Sequence, residues 1–138
     1  MQKRISLVVF GLACIILFFS GCVEETSNTV SIPDKVILES DMVEFANISF
    51  DKVKNRDGDY IEATLSWLFH NIAGRTINLG IDIQIYDAND ALVYSDSKQI
   101  IPLPDDYTES FSPLHNTITL MGKDAQNADH VIIYAFEI

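Results

Sequence analysis

The chain has 138 residues, nine basic against twenty acidic, which gives a formal charge of −11 and an isoelectric point near 4.4. One domain is the expectation at this length, and a large multidomain enzyme is excluded. A nucleic-acid binder built on a basic face is also excluded, because phosphate neutralisation needs clustered Lys and Arg.

Residues 1–21 have the layout of a secretory signal. Lys3 and Arg4 form a charged start, Ile5 to Phe19 is an apolar run of 15 residues, and Ser20-Gly21 are small. Phe19-Ser20-Gly21-Cys22 resembles the lipobox of exported lipoproteins, with Phe19 where an aliphatic residue is usual. The resemblance implies that Cys22 is lipidated on sulfur and becomes the first residue of the mature chain. The competing reading is an uncleaved membrane helix, for which the run falls short of the ~20 residues that span a bilayer. Either reading puts the remainder on the extracytoplasmic side, with Lys3 and Arg4 left inside. Cys14 falls within the signal, so the exported domain has no cysteine and must fold without a disulfide. Losing Lys3 and Arg4 leaves seven basic residues against twenty acidic ones, a charge of −13. That charge speaks first to solubility.

Residues 22–35 carry the anchoring cysteine and a polar stretch that reads as a tether. Residues 36–138 read as the domain. Period-two patterning predicts strands over 42–53, 60–71, 77–86, 91–100, 107–112, 116–121 and 130–138. It is clearest for Ile61, Ala63, Leu65, Trp67 and Phe69, and for Ile77, Leu79, Ile81, Ile83 and Ile85. Both sets should face the core. Asp57-Gly58 is a hairpin signal, Asp87 to Asp90 is a turn, and Pro102 and Pro104 are expected to end the fourth strand. Residues 122–128 read as a loop or one short helical turn. The fold class expected is all-β, an immunoglobulin-like antiparallel sandwich of six to seven strands, with a small barrel as the alternative.

Ile83-Gln84-Ile85-Tyr86-Asp87, followed by Ala91-Leu92-Val93-Tyr94 and preceded by a strand ending in Asn71, is similar to the FxLYD-type motif of small exported sandwich domains. Ile83 stands where that motif has Phe. The resemblance spans about residues 58–138. It implies an immunoglobulin-like sandwich on an exported protein or lipoprotein, and it carries no catalytic residues.

Motifs for chemistry are sparse. His70, His115 and His130 have no zinc-ligand spacing, and no nucleophile elbow or phosphate-cradling glycine loop is present. Asp105-Asp106 and Asp57/Asp59 are the closest carboxylate pairs. They sit in polar turns, whereas acid–base work needs one desolvated member. An enzyme is therefore not expected. Strand direction puts the 55–59 and 87–90 turns at one end of the sandwich, away from the tether. There Asp57, Asp59, Asp87 and Asp90 are candidate calcium ligands. Asp124 and Asp129 join them if 107–121 is one bent strand through Pro113, and go to the opposite end if Pro113 makes a hairpin. Asn47-Ile48-Ser49 is a candidate N-glycosylation sequon, placed within a strand.

The sequence thus points to a non-enzymatic, lipid-anchored cell-envelope module. It is expected to contact an envelope or surface protein, to hold no cofactor beyond candidate calcium, and to bind no nucleic acid. The alternatives are a solute- or cation-binding module using the acidic loops and, last, an envelope hydrolase.

Overall fold

The computed structural model describes residues 28–138. The signal, the lipobox-like segment and Cys22 lie outside the described residues. Eight strands form two four-stranded sheets, an all-β sandwich. One sheet has the order β1-β3-β4-β7, with β1 Asn28–Ser31, β3 Val43–Lys54, β4 Tyr60–Asn71 and β7 Thr117–Met121. The other has the order β2-β8-β5-β6, with β2 Val36–Glu39, β5 Ile77–Tyr86, β6 Leu92–Leu103 and β8 His130–Glu137. The six-residue helix α1, Gly122–Asn127, joins β7 to β8.

The alternation read from the sequence is the packing observed. Ala63, Leu65, Trp67 and Phe69 of β4 meet Ile77, Leu79, Ile81, Ile83 and Ile85 of β5, with Phe50, Ile118, Leu120, Val131 and Ile133 closing the core. Each large buried side chain contributes roughly 1.5–3 kcal/mol. This core has to suffice, because no disulfide supports it. Ile61 departs from the pattern. It shares the parity of Ala63 but lies exposed beside the β3–β4 turn, beyond the reach of the second sheet.

Four expectations are corrected. First, Asn28–Ser31 of the presumed tether forms a strand, with Asn28 opposite Lys54 and Ser31 opposite Asp51. After the turn at Pro33–Lys35 the chain changes sheets, and β2 runs parallel to β8. Polar composition hid β1 and shortness hid β2 (VILE); both are edge strands whose stability comes from neighbours and not from their own pattern. Second, 107–112 is not a regular strand. It follows β4 through single contacts (Asn71 N–H to the Tyr107 carbonyl, Glu109 N–H to the Phe69 carbonyl), makes one bridge at Thr108, then swings out over 110–116. Third, β6 continues through Pro102. It is an edge strand, so no ladder partner is lost at the missing N–H.

The fourth correction concerns orientation. Because Asn28 pairs with Lys54, the described chain begins at the end that carries the 55–59 turn. The aspartate turns are therefore at the N-terminal end of the sandwich, not away from it. Met121 pairs with Glu62, and His130 pairs with Tyr86, so α1 and the 128–129 link are at this end too.

Candidate functional site

The sequence-predicted aspartates fall in two turns on different sheets, and each turn uses its side chains locally. In the β3–β4 turn the Asn55 Oδ1 accepts the amides of Asp57 and Asp59, both at 2.9 Å. In the β5–β6 turn the Asp87 Oδ1 accepts the amides of Asn89 and Ala91 at 2.8 and 2.9 Å. This is turn chemistry that needs no ligand. Asp90 has a left-handed backbone, φ 63°, and its carboxylate lies 3.2 Å from His130 Nε2. Among the described residues no group of three or more His, Cys, Asp or Glu is disposed to hold a metal ion. Asp57, Asp59, Asp87 and Asp90, the candidate calcium ligands, form no such group.

What this end does assemble is a bracing network. His130 stacks on Tyr86, ring centroids 5.4 Å apart, with Asp90 at one ring nitrogen and Asp129 at the other, 3.1 Å away. The hydrogen bond from His130 holds the Asp129 carboxyl below its ordinary range, and Lys35, 3.4 Å away, adds to this. Lys52, buried on β3, reaches the carbonyls of Gln126 and Ala128 at the end of α1, and its ammonium lies 4.1 Å from the centre of the Tyr60 ring. Burial pushes the Lys52 ammonium down, while Asp129 pulls it the other way.

Asn47 is exposed on the outward side of β3, next to the bulge between Phe45 and Asn47. His70 is held by Thr108 and Asp106, at 2.8 and 3.1 Å.

Two features escaped the sequence reading. The first is a difference between the two outer faces. The centre of the β1-β3-β4-β7 sheet shows Ser49, Asp51, Thr64, Ser66, Thr117 and Thr119, with hydroxyl pairs at 3.3 Å (Thr64–Thr119) and 3.2 Å (Ser66–Thr117). The β2–β8 half of the other sheet shows Ile37, Ile132, Tyr134 and Phe136 side by side. Ile37 is 49% exposed, Tyr134 38%, Phe136 41% and the adjoining Ile138 47%. The Phe136 ring lies across Gly80, where a Cβ would sit 2.7 Å from the ring. That close approach explains a glycine inside a strand. Bidentate Arg75–Glu137 contacts, 2.5 and 2.6 Å, lie at the rim of this face. The signal in the sequence was Val131 to Phe136, which is apolar at both parities, as a strand covered on both faces would be.

The second is a cleft of about 530 Å³ at the end remote from Asn28. One wall is Gln99–Leu103 of β6, and the other is Tyr107, Glu109 and the 110–116 excursion. Glu109 Oε2 accepts the Phe69 N–H at 2.8 Å, and Asn116 Nδ2 lies 3.4 Å from both carboxylate oxygens. Burial pushes the Glu109 carboxyl up, against the opposing pull of the Phe69 and Asn116 bonds and of nearby His115. Glu109 shows no signal in the sequence, since its environment comes from residues up to 40 positions away.

Among the described residues no helix is long and apolar enough to cross a membrane. No protein-family model matches the chain, and no curated protein matches it. Among solved structures, the crystal structure of Campylobacter jejuni cj0090 is similar, with a TM-score of 0.42 and 12% identity, over 75% of this chain and 98% of its own.

Proposed function

We propose that this is a non-enzymatic cell-envelope lipoprotein, moored through Cys22 on the extracytoplasmic side, whose sandwich docks an envelope or surface protein. The docking face is the outer surface of β2 and β8. The observation that carries this reading is the contrast between the two outer faces. Ile37 of β2 lies opposite Ile132, and Ile132, Tyr134 and Phe136 follow one another along β8 as an apolar stripe flanked by Glu39, Gln84 and Asp82, while the opposite sheet is hydroxyl-lined at its centre. Contiguous exposed apolar surface marks interaction sites, and aromatic residues are enriched at protein interfaces. The anchor is supported by the charged start, the apolar run and the Phe19-Ser20-Gly21-Cys22 ending.

The test places a photo-crosslinking residue at Tyr134 and, separately, at Thr64 of the polar face, in the membrane-anchored protein. One defined partner recovered from position 134 and absent from position 64 is the expected result. Equal recovery from both positions, or none from either, overturns the docking face. Mass spectrometry of the membrane fraction tests the anchor separately: a lipid adduct on an N-terminal Cys22 is expected, and an intact Met1 peptide without lipid overturns it.

A further inference from the structure

The cleft between β6 and the 110–116 excursion combines an apolar wall with a desolvated carboxylate. Ile100, Ile101, Pro102 and Leu103 supply the apolar side, and Glu109 faces them with Asn116. An ionised carboxylate has about four acceptor sites. Here the Phe69 N–H fills one at 2.8 Å, and the Asn116 amide approaches only to 3.4 Å. Acceptor capacity is left over inside a space of about 530 Å³, within the range of small-ligand pockets. His115 is the one basic residue among those lining the cleft, so an anion would meet Glu109 with little to offset it. The chain's charge of −11 repels anions and draws cations towards the protein.

We propose that this cleft binds a protonated amine or guanidinium carried on a short apolar stem, with Glu109 as its counter-ion. The cation takes the unfilled acceptor positions of Glu109, and the stem lies against Ile100 and Pro102. Burial that is costly for a lone carboxylate is offset once a cation sits beside it. The site is at the opposite end from Asn28, where the described residues begin, and separate from the β2–β8 docking face, so the two proposals stand or fall independently.

The probes are butylguanidinium and butylammonium, with butyramide as the neutral counterpart. Binding is followed by amide chemical shifts on the 15N-labelled protein. Saturable shifts confined to residues 99–103 and 107–116 are expected for the two cations and not for butyramide. Glu109→Gln keeps an acceptor for the Phe69 N–H and removes the charge, so it should weaken cation binding by roughly tenfold or more. Ile101→Trp, a substitution at an exposed position, should block the mouth by bulk and serves if Glu109→Gln disturbs the fold. A peptide with a single Arg in an extended apolar sequence distinguishes the source. Tighter binding than butylguanidinium, at the same site, assigns the cation to a polypeptide side chain, and equal binding assigns it to a free small molecule. Absence of shifts, equal binding of butyramide, or unchanged affinity in both Glu109→Gln and Ile101→Trp overturns the proposal.

Discussion

The Lys52 ammonium of β3 donates to the carbonyl of Ala128, 76 residues further along the chain. With the Gln126 carbonyl it ties the end of α1 to the first sheet, where the helix would otherwise present unpaired acceptors. Lys52→Met keeps the aliphatic stem and removes the donor. Hydrogen bonds to charged groups are worth about 1.5–3 kcal/mol, so a loss near 2 kcal/mol is expected. Urea unfolding measures it, and a change below about 0.5 kcal/mol, the usual limit for surface substitutions, would show that the tie is ornamental.

Asn71 closes β4 at the opposite end. Its buried amide donates to the carbonyls of Arg75, Leu103 and Pro104 at 2.8–2.9 Å, and its Oδ1 accepts the Ala73 N–H. Asn71→Leu preserves volume and strands these groups. The expected destabilisation is about 3 kcal/mol, from several bonds of about 1 kcal/mol and buried carbonyls left unpaired. Asn71→Asp should also destabilise, since a carboxylate cannot donate to the three carbonyls. A thermal melt of either variant that overlays wild type contradicts this account.

Glu109 makes stability depend on pH in a direction opposite to most carboxylates. Its folded pKa is raised above the ordinary value of 4.5, burial being the main cause. Between 4.5 and the raised value the folded state binds more protons than the unfolded one, so stability falls as pH rises through that window. Asp129 and Glu137 are shifted down by their hydrogen-bond partners, and their contributions vanish only at lower pH. Subtracting the pH profile of Glu109→Gln from that of wild type should therefore leave a decline with rising pH above 4.5. A flat difference would place Glu109 in water.

Lys98 points inward from the edge strand β6, opposite Ile81, with its ammonium 5.5 Å from the centre of the Trp67 ring, 3.8 Å from Asp96 and 3.2 Å from the Leu114 carbonyl. Inward-pointing charge protects sheet edges from pairing with another chain. Lys98→Val should raise self-association, read by light scattering across a concentration series. A strictly monomeric variant would assign edge protection to Pro102 and the 110–116 excursion alone.

Millimolar calcium should shift the melting temperature no more than magnesium at equal ionic strength, because the turn aspartates do not converge. A selective calcium shift that disappears in Asp57→Asn/Asp59→Asn would reverse that conclusion.

How far the fold could be read depended on how local its causes were. Leu65, Trp67 and Phe69, or Ile81, Ile83 and Ile85, alternate because each faces the other sheet, and period two was enough to place them. Asn55, Asp87 and their amides follow local turn chemistry and were visible as turns. The strands at Asn28 and Val36 owe their order to β3 and β8, which no pattern in NTVS or VILE announces. The irregular path of 107–116 is held from outside, by Phe69 and Trp67 of β4. The same remoteness hid the cleft, whereas the apolar outer face had a local signal in the run from Val131 to Phe136, apolar at both parities. The aspartates drew attention because their spacing was conspicuous, yet the turns are capped by the side chains of Asn55 and Asp87, and Asp90 contacts His130.

The pairing of Asn28 with Lys54 has a consequence for posture. With the mooring proposed at Cys22, only residues 23–27 separate the lipid from the first hydrogen-bonded strand, a link of roughly 20 Å even when stretched. The sandwich then stands close to the headgroups on its six-aspartate foot (Asp57, Asp59, Asp87, Asp90, Asp124 and Asp129). With that mooring, anionic lipids would repel that foot while the link of five residues would hold it near them. The Glu109 cleft, at the end of the sandwich remote from Asn28, would then face away from the lipid.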